Sequence, residues 1–344
     1  MLYVGMDISS KSFVVHAINE RKKVVLKTEI EPSREKVREL MKQLGAEPKL
    51  VVFEAGNQLK WVADTLKRQE GVSLHIVHPN EVKWISSSNG KTDKVDARKL
   101  AELARGDMLP RKVHLVEGEA RVLRELASAR TQLMQKRVSM VNTLRGYLKQ
   151  EGVQLGEKFF AREDWHERLE KTKVSQTLKV IIKAFRPSIE KLQASEYELV
   201  QRIAEIENKE TKLLETIPSI GVLSSRTILG ALDNVERFEN RKAVAKYGAL
   251  TPTIYQSGDV TQLGRINRDG RHEVRRVLLQ CAHLLPRMKS PASRPLREFY
   301  ERLAKRSGKK KALVALARKL LTIAYGVLKS GTPYDPAKLL PQGT

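Results

Sequence analysis

Four acidic side chains stand at positions where acids are costly. Asp7 lies toward the end of Tyr3-Val4-Gly5-Met6-Asp7-Ile8, an apolar run of strand type. A carboxylate buried in such a run needs an ion or hydrogen bonds to compensate it. Glu54 holds the matching place at the end of Val51-Val52-Phe53-Glu54, just before Ala55-Gly56. In Lys91-Thr92-Asp93-Lys94-Val95-Asp96-Ala97-Arg98 the two aspartates are three residues apart, which puts both on one face of a helix. Four hard oxygen donors converging on one point suit Mg²⁺, with Mn²⁺ as an alternative. Two such ions about 4 Å apart can activate one oxygen of a phosphodiester and stabilise the other. Each acid taken singly has a structural reading: Asp93 as a helix cap, Asp96 paired with Arg98 or Lys99, Glu54 as a solvated strand end. Their order and context favour a metal site.

The elements that must position these acids are short and alternate in type. Tyr3–Ile8, Phe13–Ile18 and Lys23–Thr28 are β-branched-rich runs with tight polar breaks between them, which predicts an antiparallel meander. Ser33–Leu44 has helical spacing at Val37, Leu40, Met41 and Leu44, with Ser33 as N-cap. Leu50–Phe53 predicts a buried strand, Gln58–Arg68 a helix and Ser73–Val77 another strand. Three meandering strands followed by strands paired in parallel through helical crossovers is the order of ribonuclease-H-like folds. In that order Asp7 and Glu54 sit at the carboxyl ends of neighbouring strands and point into one crevice.

Residues 113–212 predict a helical, coiled-coil region. Glu117–Gln150 is helix-compatible with no proline, and after Pro187 a heptad seam runs through Ile189, Leu192, Glu196, Leu199, Ile203, Ile206, Glu210 and Leu213. The seam fits an antiparallel hairpin within the chain or a dimerising coiled coil equally well. Residues 213–332 predict a mainly helical C-terminal domain. Ile217-Pro218-Ser219-Ile220-Gly221 followed by Leu223–Leu232 reads as a helix-hairpin-helix-like segment, whose backbone N–H groups could face a phosphate, or as an ordinary αα-turn. Ala243–Thr253 and Tyr255–Ile266 are punctuated by Gly, Pro and Ser; Glu273–Leu285, Pro295–Ala304 and Lys310–Lys329 predict closing helices, and 333–344 a frayed tail. Ser257, before Gly258, reads by its neighbours alone as a turn serine.

Charge narrows the partners. With 64 Lys+Arg against 40 Asp+Glu the 344-residue chain carries +24, spread along its length rather than gathered in a short membrane-binding arm. Such a chain suits phosphate neutralisation with counterion release. Aromatics are only 5% of residues, so backbone contact is favoured over base stacking. Cys281 is the sole cysteine, which excludes an internal disulfide framework and a zinc site built on several thiolates. No apolar run approaches the roughly 18–20 residues that span a bilayer, so no membrane partner and a soluble, intracellular chain are expected.

Gly5-Met6-Asp7-Ile8-Ser9, Phe53-Glu54-Ala55 and Lys91–Ala97 resemble the DEDD tetrad of the insertion-sequence one-ten family of transposases, which takes in the eleven-eleven group and the Piv-type DNA invertases. Ile217–Gly221, Tyr247-Gly248-Ala249-Leu250-Thr251-Pro252, Gln256-Ser257-Gly258, Gly264-Arg265-Ile266 and Lys310–Leu321 are similar to that family's carboxy-terminal domain. The likeness runs over nearly the whole chain, in order. It implies a RuvC-like metal domain over 1–112, with Asp7, Glu54, Asp93 and Asp96 as catalytic metal ligands and Ser257 as the nucleophile that takes the 5′ phosphate of the cut strand. It also implies donor and target DNA, a structured guide (bridge) RNA, dimers joining into a tetramer, and a prokaryotic cytoplasmic, nucleoid-associated setting. Arg265, Arg268, Arg271, Arg275 and Arg276, with Lys309, Lys310 and Lys311, read as nucleic-acid contacts against the alternative of a solvated basic face. Three rival outcomes are a RuvC-like junction resolvase or nuclease using water, a site-specific invertase, and a non-catalytic nucleic-acid scaffold. The exonuclease form is disfavoured by Ser9, where an acidic partner would be expected.

Overall fold

The computed structural model describes residues 1–82, 93–162, 164–257, 260–267 and 270–339; for Asp93, Lys94, Ile254, Gln256, Ser257, Val260, Thr261 and Leu263 it describes the backbone only. The chain divides into two compact units, Met1–Leu115 and Val116–Thr344.

The first unit is built on the meander expected from the sequence. Strands β1 (Leu2–Ile8), β2 (Phe13–Asn19) and β3 (Val24–Ile30) pair antiparallel, while β4 (Lys49–Glu54) and β5 (Val72–Val77) add in parallel beside β1. The sheet order is β3-β2-β1-β4-β5. Helices α1 (Arg34–Gln43) and α2 (Leu59–Lys67) make the crossovers. Ser33 caps α1 by accepting from the Lys36 N–H at 3.1 Å. Alternation along β1 sorts the side chains: Leu2, Val4 and Met6 join a core with Val37, Leu40, Val62 and Leu66 of α1 and α2. Tyr3, Leu50, Val52 and Val77 face the other way, against Leu100, Leu103 and Ala104 of α3 (Asp93–Arg105).

The second unit holds the long helices. α4 (Gly118–Gln150) and α6 (Gln176–Glu205) lie side by side within one chain. They run antiparallel, since Glu119 meets Asn208, Arg137 meets Glu196 and Glu151 meets Ser175. The seam glutamate Glu196 is therefore satisfied inside the chain. The heptad does not continue as one helix: the chain leaves helical geometry at Ile206, and Asn208 starts α7 (Lys209–Glu215) with a capping box. Between the far ends of α4 and α6, the short α5 (Trp165–Glu170) closes a separate core around Leu144, Phe160, Trp165 and Ile189.

Near their other ends α4 and α6 share a core with the C-terminal helices. Leu123 and Ile203 pack with Leu278, Leu316 and Leu320, so the helical region and the C-terminal part form one body by packing. That body holds α8 (Val222–Leu232), α9 (Arg241–Tyr247), α10 (His272–Leu284), α11 (Arg294–Ser307) and α12 (Lys309–Ser330). Arg226 of α8 is buried, ion-paired to Glu215 and bonded to the Ile206 carbonyl at 3.0 Å. The punctuated stretch before α10 is a two-stranded ribbon, β6 (Pro252–Ser257) with β7 (Val260–Ile266). The tail expected to fray from Pro333 is docked as far as Leu339. Its Tyr334 N–H donates to Thr216 Oγ1 at 2.8 Å and its hydroxyl to the Ala292 carbonyl at 3.1 Å, while Leu339 packs on the main core. Among the described residues no helix is long and apolar enough to cross a membrane.

Candidate active site

Sheet register brings two of the acids together. Met6 of β1 pairs with Phe53 of β4, so the next residues along these parallel strands are Asp7 and Glu54. Asp7 shares a face with Tyr3 and Gly5, and Glu54 shares it with Leu50 and Val52; this is the face that α3 covers. Gly5 explains how closely. A Cβ on Gly5 would sit 2.0 Å from the Ala97 carbonyl oxygen and 2.7 Å from the Ala101 N, so only glycine lets the α3 backbone rest on the strand.

The direction of α3 follows from its neighbours. Its later residues Leu100, Leu103 and Ala104 join Tyr3 near the start of β1, while Ala97 lies over Gly5. Asp96 comes just before Ala97 and the Asp93 backbone about one turn, 5.4 Å, earlier along the helix, and two residues beyond Gly5 along β1 stands Asp7. Three acids are thus carried to one end of one sheet face, with the Asp93 backbone on the same helical stripe. The Asp93 side chain lies outside the described residues.

Asp96 has a feature of its own: its Oδ1 is shut off from solvent and has no hydrogen-bond partner. The alternative pairing with Arg98 is not made, since Arg98 turns to Glu102 at 3.6 Å. Asp7 and Glu54 each engage other groups. Among the described residues, no three His, Cys, Asp or Glu side chains close into a metal cage. The donor set nonetheless fits a hard cation: carboxylate oxygens of which one is buried and lacks a donor.

Ser257 belongs to the second unit. It is the last residue of β6, where the ribbon turns, opposite Val260. The ribbon is fastened at its base, by Asn267 N–H donating to the Thr251 carbonyl at 2.8 Å and Thr253 Oγ1 to the Arg265 carbonyl at 2.9 Å. On β6, Tyr255 is 64% exposed.

The predicted basic contacts separate into several situations. Arg265 is exposed on β7, and Arg268 lies outside the described residues. Arg271 is drawn inward, with its N–H donating to the Tyr247 carbonyl at 2.9 Å and its Nε to the Tyr247 hydroxyl at 3.3 Å. Arg275 and Arg276 are half-buried on α10, and Arg276 Nη1 is buried without a partner. Lys309, Lys310 and Lys311 are exposed in the first turn of α12. Cations there oppose the helix dipole, an arrangement that a polyanion relieves.

Sequence reasoning missed the Tyr247 centre. Arg124 of α4 donates from Nη2 to the Tyr247 hydroxyl at 3.0 Å, and from Nε and Nη2 to the Gly230 and Ala231 carbonyls at 2.9 and 3.0 Å. Arg237 lies over the Tyr247 ring with its guanidinium carbon 4.5 Å from the centroid, and also donates to the Ala231 carbonyl. Two arginines therefore satisfy the end of α8 while three surround one phenol. Burial pushes the Tyr247 phenol up, but the fields of Arg124, Arg271 and Arg237 outweigh it and hold the group below its ordinary value. Arg124 falls on a helix face that reads in sequence as polar surface, so no spacing announced it.

Comparison with known proteins gives a consistent result. A transposase family model matches residues 4–152, and a model described as the transposase IS116/IS110/IS902 family matches residues 211–301. A putative transposase of Sinorhizobium fredii is 26% identical over 98% of this chain and 87% of its own length. The transposase for insertion sequence element IS1111A of Coxiella burnetii is 23% identical over 96% of this chain and 90% of its own. The pilin gene-inverting protein of Moraxella bovis is 31% identical over 45% of this chain and 47% of its own.

Proposed function

We propose that this chain, which belongs to the IS110 family of transposases, cuts and rejoins DNA strands through a covalent phosphoserine link at Ser257. Its substrate is DNA and its activity is DNA transposition or recombination. The finer reading rests on one observation above all: Asp7, Glu54 and Asp96 are carried to one end of one sheet face, with a buried Asp96 oxygen that lacks a donor.

In this reading the first unit is a ribonuclease-H-like, RuvC-like domain, an assignment its strand order supports. Asp7, Glu54, Asp93 and Asp96 would hold Mg²⁺, which when bound supplies Lewis-acid stabilisation to phosphate oxygens. The sheet would fix Asp7 and Glu54 before any substrate arrives, and α3 would carry Asp93 and Asp96 toward them. Ser257 Oγ attacks the scissile phosphorus; the new Oγ–P bond forms as the P–O3′ bond breaks, and the serine proton ends on the leaving 3′ hydroxyl. The ester keeps the phosphodiester energy, so rejoining by another 3′ hydroxyl reverses the step without a nucleotide cofactor. Arg265, Arg268, Arg275 and Lys309–Lys311 contact nucleic-acid backbone, and the +24 charge suits a bridge RNA beside the DNA. Dimers that join into a tetramer, working in the cytoplasm on the nucleoid, complete the proposal.

A suicide DNA substrate whose short fragment upstream of the cut, the one left with the 3′ hydroxyl, dissociates on cleavage tests this. Incubated with the chain, Mg²⁺ and RNA from the element's flank, it should leave a protein–DNA adduct on Ser257. Ser257→Ala and Asp7→Asn should each abolish the adduct while DNA binding persists. An adduct that survives Ser257→Ala, or product ending in a free 5′ phosphate made by water, overturns the serine reading.

Site-specific inversion is a second reading, favoured by the two Moraxella pilin gene-inverting proteins that match at 31% and 30%. Substrates carrying the two sites in inverted orientation separate inversion from transposition by the product.

A further inference from the structure

Three guanidinium groups and one carboxylate lie along α4, where it packs against α6 and α10. Arg137 of α4 donates to Glu196 of α6 from Nε at 2.6 Å and from Nη2 at 3.1 Å, so each carboxylate oxygen has its own donor. That pair is neutral. Arg130 lies seven residues earlier, on the same face of α4, and Arg276 approaches from α10. Glu196, Arg137 and Arg276 all lie close enough to Arg130 to act on its charge, and Glu196 is the sole anion among them. The charges acting on Arg130 are thus two cations and one anion.

The two arginines outside the pair are also short of acceptors. Arg130 Nε and Arg276 Nη1 are both shut off from solvent and both without a hydrogen-bond partner. Buried donors on charged groups rarely go unmatched, because the lost solvation is not returned. A water could accept one N–H but would leave the excess charge standing. An oxyanion answers both needs, and a phosphate matches the guanidinium fork.

We propose that Arg130 of α4 and Arg276 of α10 form a site for one backbone phosphate of the nucleic acid, with the Arg137–Glu196 pair beside it. The proposal rests on the reading above that nucleic acid is the substrate, and extends it to a residue, Arg130, well away in sequence from the ribbon. Arg276 lies five residues beyond Arg271, where the chain enters α10 from the ribbon that bears Ser257, so the site is about 8 Å along that helix. Arg271 is engaged with Tyr247, which leaves Arg276 as the inward-facing arginine of α10 with a donor to spare.

Two measurements on the full chain test this. In the first, binding of a duplex DNA and of an RNA hairpin is followed across a salt series for the wild type and for Arg130→Gln/Arg276→Gln. The slope of log affinity against log salt should fall by about 1 on whichever nucleic acid supplies the phosphate, with affinity down about ten-fold. Arg186→Gln/Arg202→Gln, with the same change of charge on α6, should leave the slope unchanged. In the second, inorganic phosphate should raise the wild-type melting temperature above that in chloride at equal ionic strength, and the double variant should lose this difference. No phosphate-specific protection of the wild type means an adventitious water satisfies these groups and overturns the site, even if the double variant fails to fold. An unchanged slope on both nucleic acids also overturns it. A Ser257 adduct that forms while the slope stays unchanged sinks this site alone; a reduced slope with no adduct sinks the serine chemistry alone.

Discussion

The two regions that carry the proposed chemistry are built in opposite ways. Two of the acids end strands of a five-stranded sheet covered by helices on both faces and two stand on α3, whose close approach to the sheet joins strand register in fixing their positions. Ser257 ends the first strand of a two-stranded ribbon that is fastened at its base. A lone ribbon is marginal by itself and depends on what it docks against. Carboxylates that hold a cation must be fixed beforehand, because like charges gathered without one repel. A nucleophile that joins and leaves a DNA strand is better served by a slender support.

Two matched glycine substitutions probe this contrast, with two other variants between them in size. Gly5→Ala should be the most damaging, because its Cβ would meet the Ala97 carbonyl and Ala101 N, both backbone. Overpacking of this kind should cost about 3 kcal/mol, read as a lowered urea midpoint, with strand cleavage lost as α3 is pushed off the sheet. Asp96→Asn comes next. Without Mg²⁺ its stability should equal or exceed the wild type's, since a buried carboxylate oxygen lacks a donor. Saturating Mg²⁺ at about 100 times its dissociation constant should stabilise the wild type by about 2.7 kcal/mol and this variant hardly at all. Equal stabilisation of both would show that Asp96 is no ligand.

Arg124→Met acts in the second unit. It removes the Arg124 donor from the Gly230 carbonyl and one of two arginine donors each from the Ala231 carbonyl and the Tyr247 hydroxyl, at a cost of about 2 kcal/mol in chemical denaturation. Gly264→Ala should have the smallest effect, under about 1 kcal/mol. Its Cβ would meet the Tyr255 ring at 2.8 Å, and that side chain is exposed enough to swing aside. Were Gly264→Ala as harmful as Gly5→Ala, the ribbon would be as tightly determined as the sheet.

Much of the first unit was legible because its signals are local. The breaks between β1, β2 and β3, the Ser33 cap and the end positions of Asp7 and Glu54 all follow from runs of a few residues. The ribbon was harder to read: Gly264 and the polar residues around it break the alternation that marks a strand, and its pairing depends on Thr253 and Tyr255 meeting residues about ten positions away. The heptad seam gave the helices but not their partner, since Glu196 at a seam position fits an intrachain arginine as well as a second copy. Arg124 and Arg130 were invisible for the opposite reason to the acids. On a long helix a charged residue looks solvated until a distant segment reaches it, as Tyr247 does by a hydrogen bond to Arg124 and Arg276 by its charge on Arg130.

The docked end of the chain bears on how the protein is made. Tyr334 ties the turn before α8 to Ala292 just ahead of α11, and the main core needs α12 as well as α4. The sheet unit is complete once residue 115 has left the ribosome, whereas the second unit lacks its closing helix until roughly 220 more residues follow. At about 5–20 residues per second, α4 waits about 10–40 s during translation with its apolar face uncovered. Messages cut short before α12 should therefore yield a chain with a folded first third and an aggregation-prone remainder.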